Sequence, residues 1–254
     1  MPPWELFSAD PHCRFNHAMI LVKICGITNW LDAAAACDAG ADLLGFNFYE
    51  KSLRRISTVE AATMRAKLPS GVQAVGLFVN AKPAEINSLH AFVRFNAAQL
   101  HGDETPAIVS EVTRTVPVIK AFRVAADFPL SSLDKYHDAF AFLLDGARAG
   151  QFGGTGASAD WNVARRAVAA HRIILAGGLT PENVGAAIRS VRPYAVDVAS
   201  GVESKPGKKD HVRMKEFIDE VRRTEQRSEA PETEQPGQVG QTFLSVSSPP
   251  KKTS

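Results

Sequence analysis

The chain has 254 residues, 45% of them hydrophobic and 22% charged, with a formal net charge of +2. That is enough apolar material for a full core, and too little charge to point to nucleic acid or an anionic membrane surface as a partner. No apolar stretch is long enough to span a bilayer, the first residues lack the apolar centre of a signal peptide, and Cys13, Cys25 and Cys37 are an odd set without metal-ligand spacing. A reduced, cytoplasmic protein is therefore expected, without a disulfide framework or a zinc site.

Residues 1–18 have no clear period and contain Pro2, Pro3, Asp10 and Pro11. They form an N-terminal extension, either a short ordered arm or a segment ahead of a translation start at Met19. Next comes the run Ile20-Leu21-Val22-Lys23-Ile24, which ends in Cys25 and Gly26 and reads as a buried strand with a thiol at its tip. An alanine-rich helix over 29–39 closes on Gly40 as its C-cap. Strand 42–46 follows, and Ser57-Thr58-Val59-Glu60 has the spacing of a capping box that opens a second helix. The spacing then predicts a strand over 73–80, a helix over 83–92 and a strand over 97–100. Thr105 and Pro106 start the next helix. Further on lie a strand at 116–124, a short helix at 132–137, a strand at 139–144 and a helix at 159–170. The series closes with a strand at 173–175, a helix capped by Thr180-Pro181, a strand at 195–199 and a helix at 208–223. From Thr224 the chain is rich in Glu, Gln, Ser and Pro, and such a composition, over 224–254, predicts a disordered tail.

Eight β-then-α units over roughly 200 residues, residues 19–223, fit a single (β/α)8 barrel, an α/β fold at the small end of its size range. A doubly wound open sheet uses the same units, but no G-x-G-x-x-G follows the first strand. In a barrel the C-terminal strand ends share one mouth, so they can be read together. Glycines after the seventh and eighth strands, Gly177-Gly178 and Ser200-Gly201, suit a phosphate, because backbone N–H groups can approach an anion there. The bland alternative is that they only make tight turns. Asp145 ends the apolar run of residues 139–144, where a carboxyl must be hydrogen-bonded or hold a proton. Cys25 facing Asp145 across the mouth would be a proton-transfer pair, one group taking a proton and the other giving one. Packing of the thiol as a small hydrophobe, and an N-cap role for Asp145, are the structural alternatives.

The segment Val22-Lys23-Ile24-Cys25-Gly26-Ile27-Thr28 closely resembles the opening of the phosphoribosylanthranilate isomerase family of tryptophan biosynthesis. Matching stretches continue in order through Gly45-Phe46-Asn47-Phe48, Val75-Gly76-Leu77-Phe78-Val79-Asn80, Gln99-Leu100-His101-Gly102, Leu144-Asp145, Gly153-Gly154-Thr155-Gly156, Leu175-Ala176-Gly177-Gly178 and residues 196–203. The resemblance implies a cofactor-free Amadori rearrangement of N-(5-phosphoribosyl)anthranilate to the 1-deoxyribulose 5-phosphate. It implies Asp145 as general acid, Cys25 as general base and Arg54 on the anthranilate. His101 and Asp197 would line the substrate, and Gly177, Gly178, Ser200 and Gly201 would hold its phosphate. The family's Ser-Pro-Arg-Tyr stands here as Ser52-Leu53-Arg54-Arg55, which puts a second arginine beside the matching one. The loop at 153–156 is expected to close over the substrate. The substrate would be a phosphorylated aminosugar, taken by a monomer or a homodimer. The rival enzymatic reading is the histidine-pathway aminosugar phosphate isomerase, whose family uses carboxylates as both acid and base. The rival of another class is a catalytically silent phosphosugar-binding barrel. Cys25 argues against the first, and Cys25 together with Asp145 against the second.

Overall fold

The computed structural model describes residues 19–146 and 161–229. The N-terminal extension, the loop at 153–156 and the tail beyond 229 lie outside the described residues. Eight parallel strands close on themselves in chain order: β1 (Leu21–Cys25), β2 (Leu43–Asn47), β3 (Gln73–Phe78), β4 (Ala97–Leu100), β5 (Val118–Val124), β6 (Ala141–Gly146), β7 (Ile173–Ala176) and β8 (Ala195–Val198). Helices α1 (Trp30–Ala39), α2 (Thr58–Arg65), α3 (Pro83–Val93), α4 (Pro106–Thr113), α5 (Ser131–Asp134), α6 (Trp161–Ala167) and α7 (Val184–Val191) follow strands one to seven. After β8 come a single 3-10 turn (Ser200–Val202), an antiparallel hairpin of β9 (Glu203–Lys205) and β10 (Lys208–Lys209), and α8 (His211–Glu229). No helix among the described residues is long and apolar enough to cross a membrane.

Side chains alternate across each strand, so every strand feeds two apolar layers. Leu21, Val75, Ile119, Leu143 and Ile174 fill the barrel interior, while Val22, Ile24, Leu44, Leu100, Leu144 and Leu175 pack outward under the helices. Local signals set the helix ends. The Asn29 side chain accepts from the Asp32 N–H at 2.9 Å, Ser57 and Glu60 form the reciprocal capping box, and Gly40 ends α1 at φ 95°.

The ends of the last units differ from the sequence expectation. Helix α7 starts at Val184 rather than at Thr180-Pro181, because a turn intervenes in which the Asn183 side chain accepts from the Thr180 N–H at 2.9 Å. Lys208 and Lys209 belong to the hairpin and not to the last helix. That helix runs on to Glu229, past the expected end at 223, because its extra turn has partners on the barrel. Thr224 is buried, and Glu225 accepts from the Ile20 N–H and pairs with Arg222, whose guanidinium also holds Asp42 at 2.7 Å. These contacts clamp α8 to the entry of β1. A chain ending at Arg223 is expected to lose about 1–3 kcal/mol of stability in urea unfolding, the cost of stripping hydrogen-bond partners from partly buried groups. An unchanged midpoint would show that the extra turn does not support the barrel.

Candidate active site

The interior of β1 changes character along its length. Leu21 is apolar, Lys23 is fully buried, and Cys25 stands at the C-terminal tip with 6% of its surface exposed. A buried ammonium needs a partner, and β1 finds it on the strand that closes the barrel. Lys23 sits opposite Asp197 in the β1–β8 register, and its Nζ lies 2.7 Å from Asp197 Oδ1. On the other side, Gly45 of β2 opposes Cys25. A Cβ at Gly45 would stand 2.9 Å from Cys25 Sγ and 3.1 Å from Lys23 Nζ, so the absence of a side chain there makes room for both groups. Burial pushes the Cys25 thiol above its ordinary range and Asp197 adds to the rise, whereas Lys23 and Lys209 pull the other way. Burial alone would lower the Lys23 ammonium, but Asp197 and Cys25 outweigh it and hold it above its ordinary value.

Asp145 lies within β6, one residue before its end, and keeps about a fifth of its side chain exposed to the mouth. His101, immediately after β4, places Nε2 3.6 Å from Asp145 Oδ2, while Gln99 one layer below lies 3.1 Å from His101 Nδ1. Asp145 is therefore a strand residue beside an imidazole, and among the described residues no helix is capped by it. The β7 tip presses against it from the next strand: Gly177, at φ 86°, would put a Cβ 2.6 Å from Asp145 Oδ1 and into the Gly146 backbone. Gly178 also has a positive φ, and the Leu179 carbonyl lies against Gly201, so the loops after β7 and β8 touch. Ser200 opens the 3-10 turn at that junction.

Arg54 and Arg55 diverge. Arg55 is more than half exposed, with Glu50 3.9 Å away. Arg54 turns towards the mouth and forms a two-pronged pair with Glu203, Nε to Oε1 at 2.8 Å and Nη2 to Oε2 at 2.7 Å. Hydrogen bonding to Glu203 raises the guanidinium further, and Arg54 and Lys209 together hold Glu203 below the usual carboxylate range against the effect of burial. Lys209 reaches Glu203 at 3.0 Å, the Cys25 carbonyl at 2.6 Å and the Ala199 carbonyl at 3.2 Å. The β9–β10 hairpin thus ties the tips of β1 and β8 to the arginine loop. Sequence reasoning singled out neither Glu203 nor Lys209 as a site residue. The available signal was weak: the lysine lies in a run of charges beside Gly207, which reads as a solvated turn.

Residues 22–220 match the family model described as N-(5'phosphoribosyl)anthranilate (PRA) isomerase. The chain belongs to that family. N-(5'-phosphoribosyl)anthranilate isomerase of Trichlorobacter lovleyi is 52% identical over 201 residues, which cover 79% of this chain and 97% of the relative. The crystal structure of phosphoribosyl anthranilate isomerase from Thermotoga maritima superposes with a TM-score of 0.76 at 42% identity, covering 80% of this chain and 99% of that one. A structure of the enzyme in complex with reduced 1-(o-carboxyphenylamino)-1-deoxyribulose 5-phosphate gives a TM-score of 0.73 at 41% identity, with coverage of 80% and 99%. The family membership agrees with the resemblance read from the strand tips.

The contact between Gly177 and Asp145 has a measurable consequence. Gly177→Ala combines a left-handed φ with a Cβ that meets both the Asp145 carboxyl and the Gly146 backbone. It is expected to lower the urea-unfolding free energy by about 1–3 kcal/mol. A neutral effect would mean that the β6 and β7 tips are not packed as described.

Proposed function

We propose that this chain catalyses the isomerisation for which its family is named, converting N-(5-phosphoribosyl)anthranilate to 1-(2-carboxyphenylamino)-1-deoxyribulose 5-phosphate. The observation that carries the reading is a thiol and a carboxyl set at the same mouth of the barrel. They stand on inward positions at the ends of β1 and β6, three strands apart around the closed barrel.

Asp145 acts as general acid. It gives a proton to the furanose ring oxygen, the C1–O bond breaks, and the nitrogen lone pair forms the C1=N iminium. That cation acidifies the C2 hydrogen. The Cys25 thiolate takes the C2 proton, and the bonding pair forms C1=C2 while the nitrogen regains its lone pair. The enol(amine) gains a proton at C1, loses its enol proton and becomes the ketone. Protons move and no net oxidation occurs, so the step calls for no electron acceptor. A thiolate of moderate basicity suffices, because the iminium does most of the acidifying. His101 lies next to Asp145 and lines the substrate site with Asp197. Arg54, pre-set by its two bonds to Glu203, suits the anthranilate carboxylate and ring face. Gly177, Gly178, Ser200 and Gly201, where two loops meet without intervening side chains, receive the phosphate.

The test is the fall in anthranilate fluorescence when enzyme is added to the substrate. Cys25→Ala and Asp145→Asn should each lower kcat by about 10²–10⁴-fold, the usual worth of a positioned acid or base, with substrate binding retained. Normal turnover by Cys25→Ala would overturn the acid–base assignment. The pH dependence has a fixed sign. The working form of Cys25 is the thiolate and burial pushes the thiol up, so kcat should rise with pH through the thiol's titration and fall on the acid side. A rate that falls as the thiolate forms would contradict the role given to Cys25.

A further inference from the structure

Two lysines are buried in the middle of apolar strands, Lys23 on the inner face of β1 and Lys120 on the outer face of β5, and they are held in different ways. Lys120 of β5 is saturated by protein: its Nζ meets Glu104 Oε2 at 2.9 Å and the carbonyls of Leu100, Gly102 and Ala121 at 3.3, 2.8 and 3.1 Å. It ties the tops of β4 and β5 together. Lys23 instead has Asp197 Oδ1 at 2.7 Å and the sulfur of Cys25, two residues along the same strand face, as its partners. The point that a Gly45 Cβ would occupy lies 2.9 Å from the sulfur and 3.1 Å from the Lys23 nitrogen, so the two converge on one spot. An ammonium has three donors and loses its hydration on burial, a cost that a leucine at this position would avoid.

We propose that Lys23 is a positioning residue for the isomerisation, its ammonium held between Asp197 and Cys25 so that it stabilises the thiolate that removes the substrate proton. The proposal rests on the reading of Cys25 as base. Every element packed around the sulfur enters the balance. Strand β1 supplies Lys23, β8 supplies Asp197, β2 supplies only the uncharged Gly45, β10 supplies Lys209, and the loop after β2 supplies Arg54, which pairs with Glu203. Three cations thus face two carboxylates, and a thiolate brings the cluster to neutrality, whereas a thiol leaves it one positive charge in excess. Asp197 divides the ammonium's attention. It keeps Lys23 charged inside the barrel and, being negative itself, opposes the thiolate. Once the sulfur has taken the C2 proton, Asp197 remains to balance Lys23, and the excess positive charge stays with Arg54 and Lys209 around Glu203.

Opposite signs for the two neighbours make the test independent of general damage. In a Cys13→Ser, Cys37→Ser background, where Cys25 is the remaining thiol, its titration is followed without substrate by thiolate absorbance at 240 nm and by the rate of iodoacetamide alkylation. Lys23→Met should move the thiolate transition to higher pH by about 1–3 units, as expected for loss of an opposite charge in contact. The acid limb of kcat should move with it, which is a loss of turnover on that side of up to about tenfold for each unit. Lys23→Arg should restore most of the shift, and Asp197→Asn should move the transition to lower pH. If Lys23→Met does not fold, Lys23→Arg and Asp197→Asn carry the test, with Asp197→Asn required to titrate below the parent. A Cys25 transition that stays put in Lys23→Met or in Asp197→Asn, or moves the same way for both neighbours, overturns the proposal. Because the titration needs no substrate, an unexpected activity result with the expected titration counts against the isomerase reading alone.

Discussion

Closure of the barrel by the pairing of β1 with β8 is the constraint on which the rest depends. It places Lys23 against Asp197 across 174 positions of sequence and fixes them at 2.7 Å. A parallel pair of strands far apart in sequence pays for its loop-closure entropy only through the burial it permits. Here that burial is large: the closed strands hide one apolar layer inside and a second beneath the helices. Helix α8 completes the join. It packs against α1 and α7 and clamps the entry of β1 through Arg222, Thr224 and Glu225.

The interior is graded along the barrel axis, and this grading separates stability from chemistry. The lower layers hold Leu21, Ile119, Ala141 and Ala195, which have no polar demands. Higher up, Lys23 and Gln99 take interior positions in place of apolar residues, Lys23 answered by Asp197 of β8 and Gln99 by His101 just past its own strand. At the top, Cys25, His101, Asp145 and the glycine turns reach the open mouth. Charged groups so placed cost stability unless paired, and nearly all of the pairing crosses between strands or from loop to strand. The Arg54–Glu203–Lys209 network extends the same logic to the rim, where the hairpin after β8 holds the arginine loop over the tip of β1.

Much of this was legible in the sequence, for reasons that can be named. The sequence predicts a strand over 97–100, and β4 has those bounds because Ala97-Ala98-Gln99-Leu100 is a short apolar run with breaking residues on either side. The capping box at Ser57 and the glycine C-cap at Gly40 are local chemistry and sit where they are expected. The glycines and the acid–thiol pair at the strand ends were visible once a barrel was assumed, since that fold assigns every strand end to one face. What escaped was non-local. The end of α8 depends on Ile20 and Asp42, at the other end of the domain, so its polar composition misleads. The hairpin at 203–209 has a turn signal in Gly207 but no apolar alternation. The part played by Glu203 becomes evident only when Arg54, 149 positions away, is beside it. Lys23 shows the limit most plainly. A single charge inside an apolar strand has to be answered from elsewhere in the fold, but one strand cannot say by what.

The central claim is that this mouth removes the sugar C2 hydrogen as a proton, taken by Cys25. The most direct measurement is turnover of N-(5-phosphoribosyl)anthranilate carrying deuterium at sugar C2, with the label followed into the product and the solvent by mass spectrometry. The account predicts that deuterium passes through the sulfur and is at least partly exchanged, so that the product carries solvent hydrogen at C1. Quantitative transfer of the label from C2 to C1, unchanged by exchange conditions and unaffected by Cys25→Ala, would mean a direct hydride shift and would contradict it.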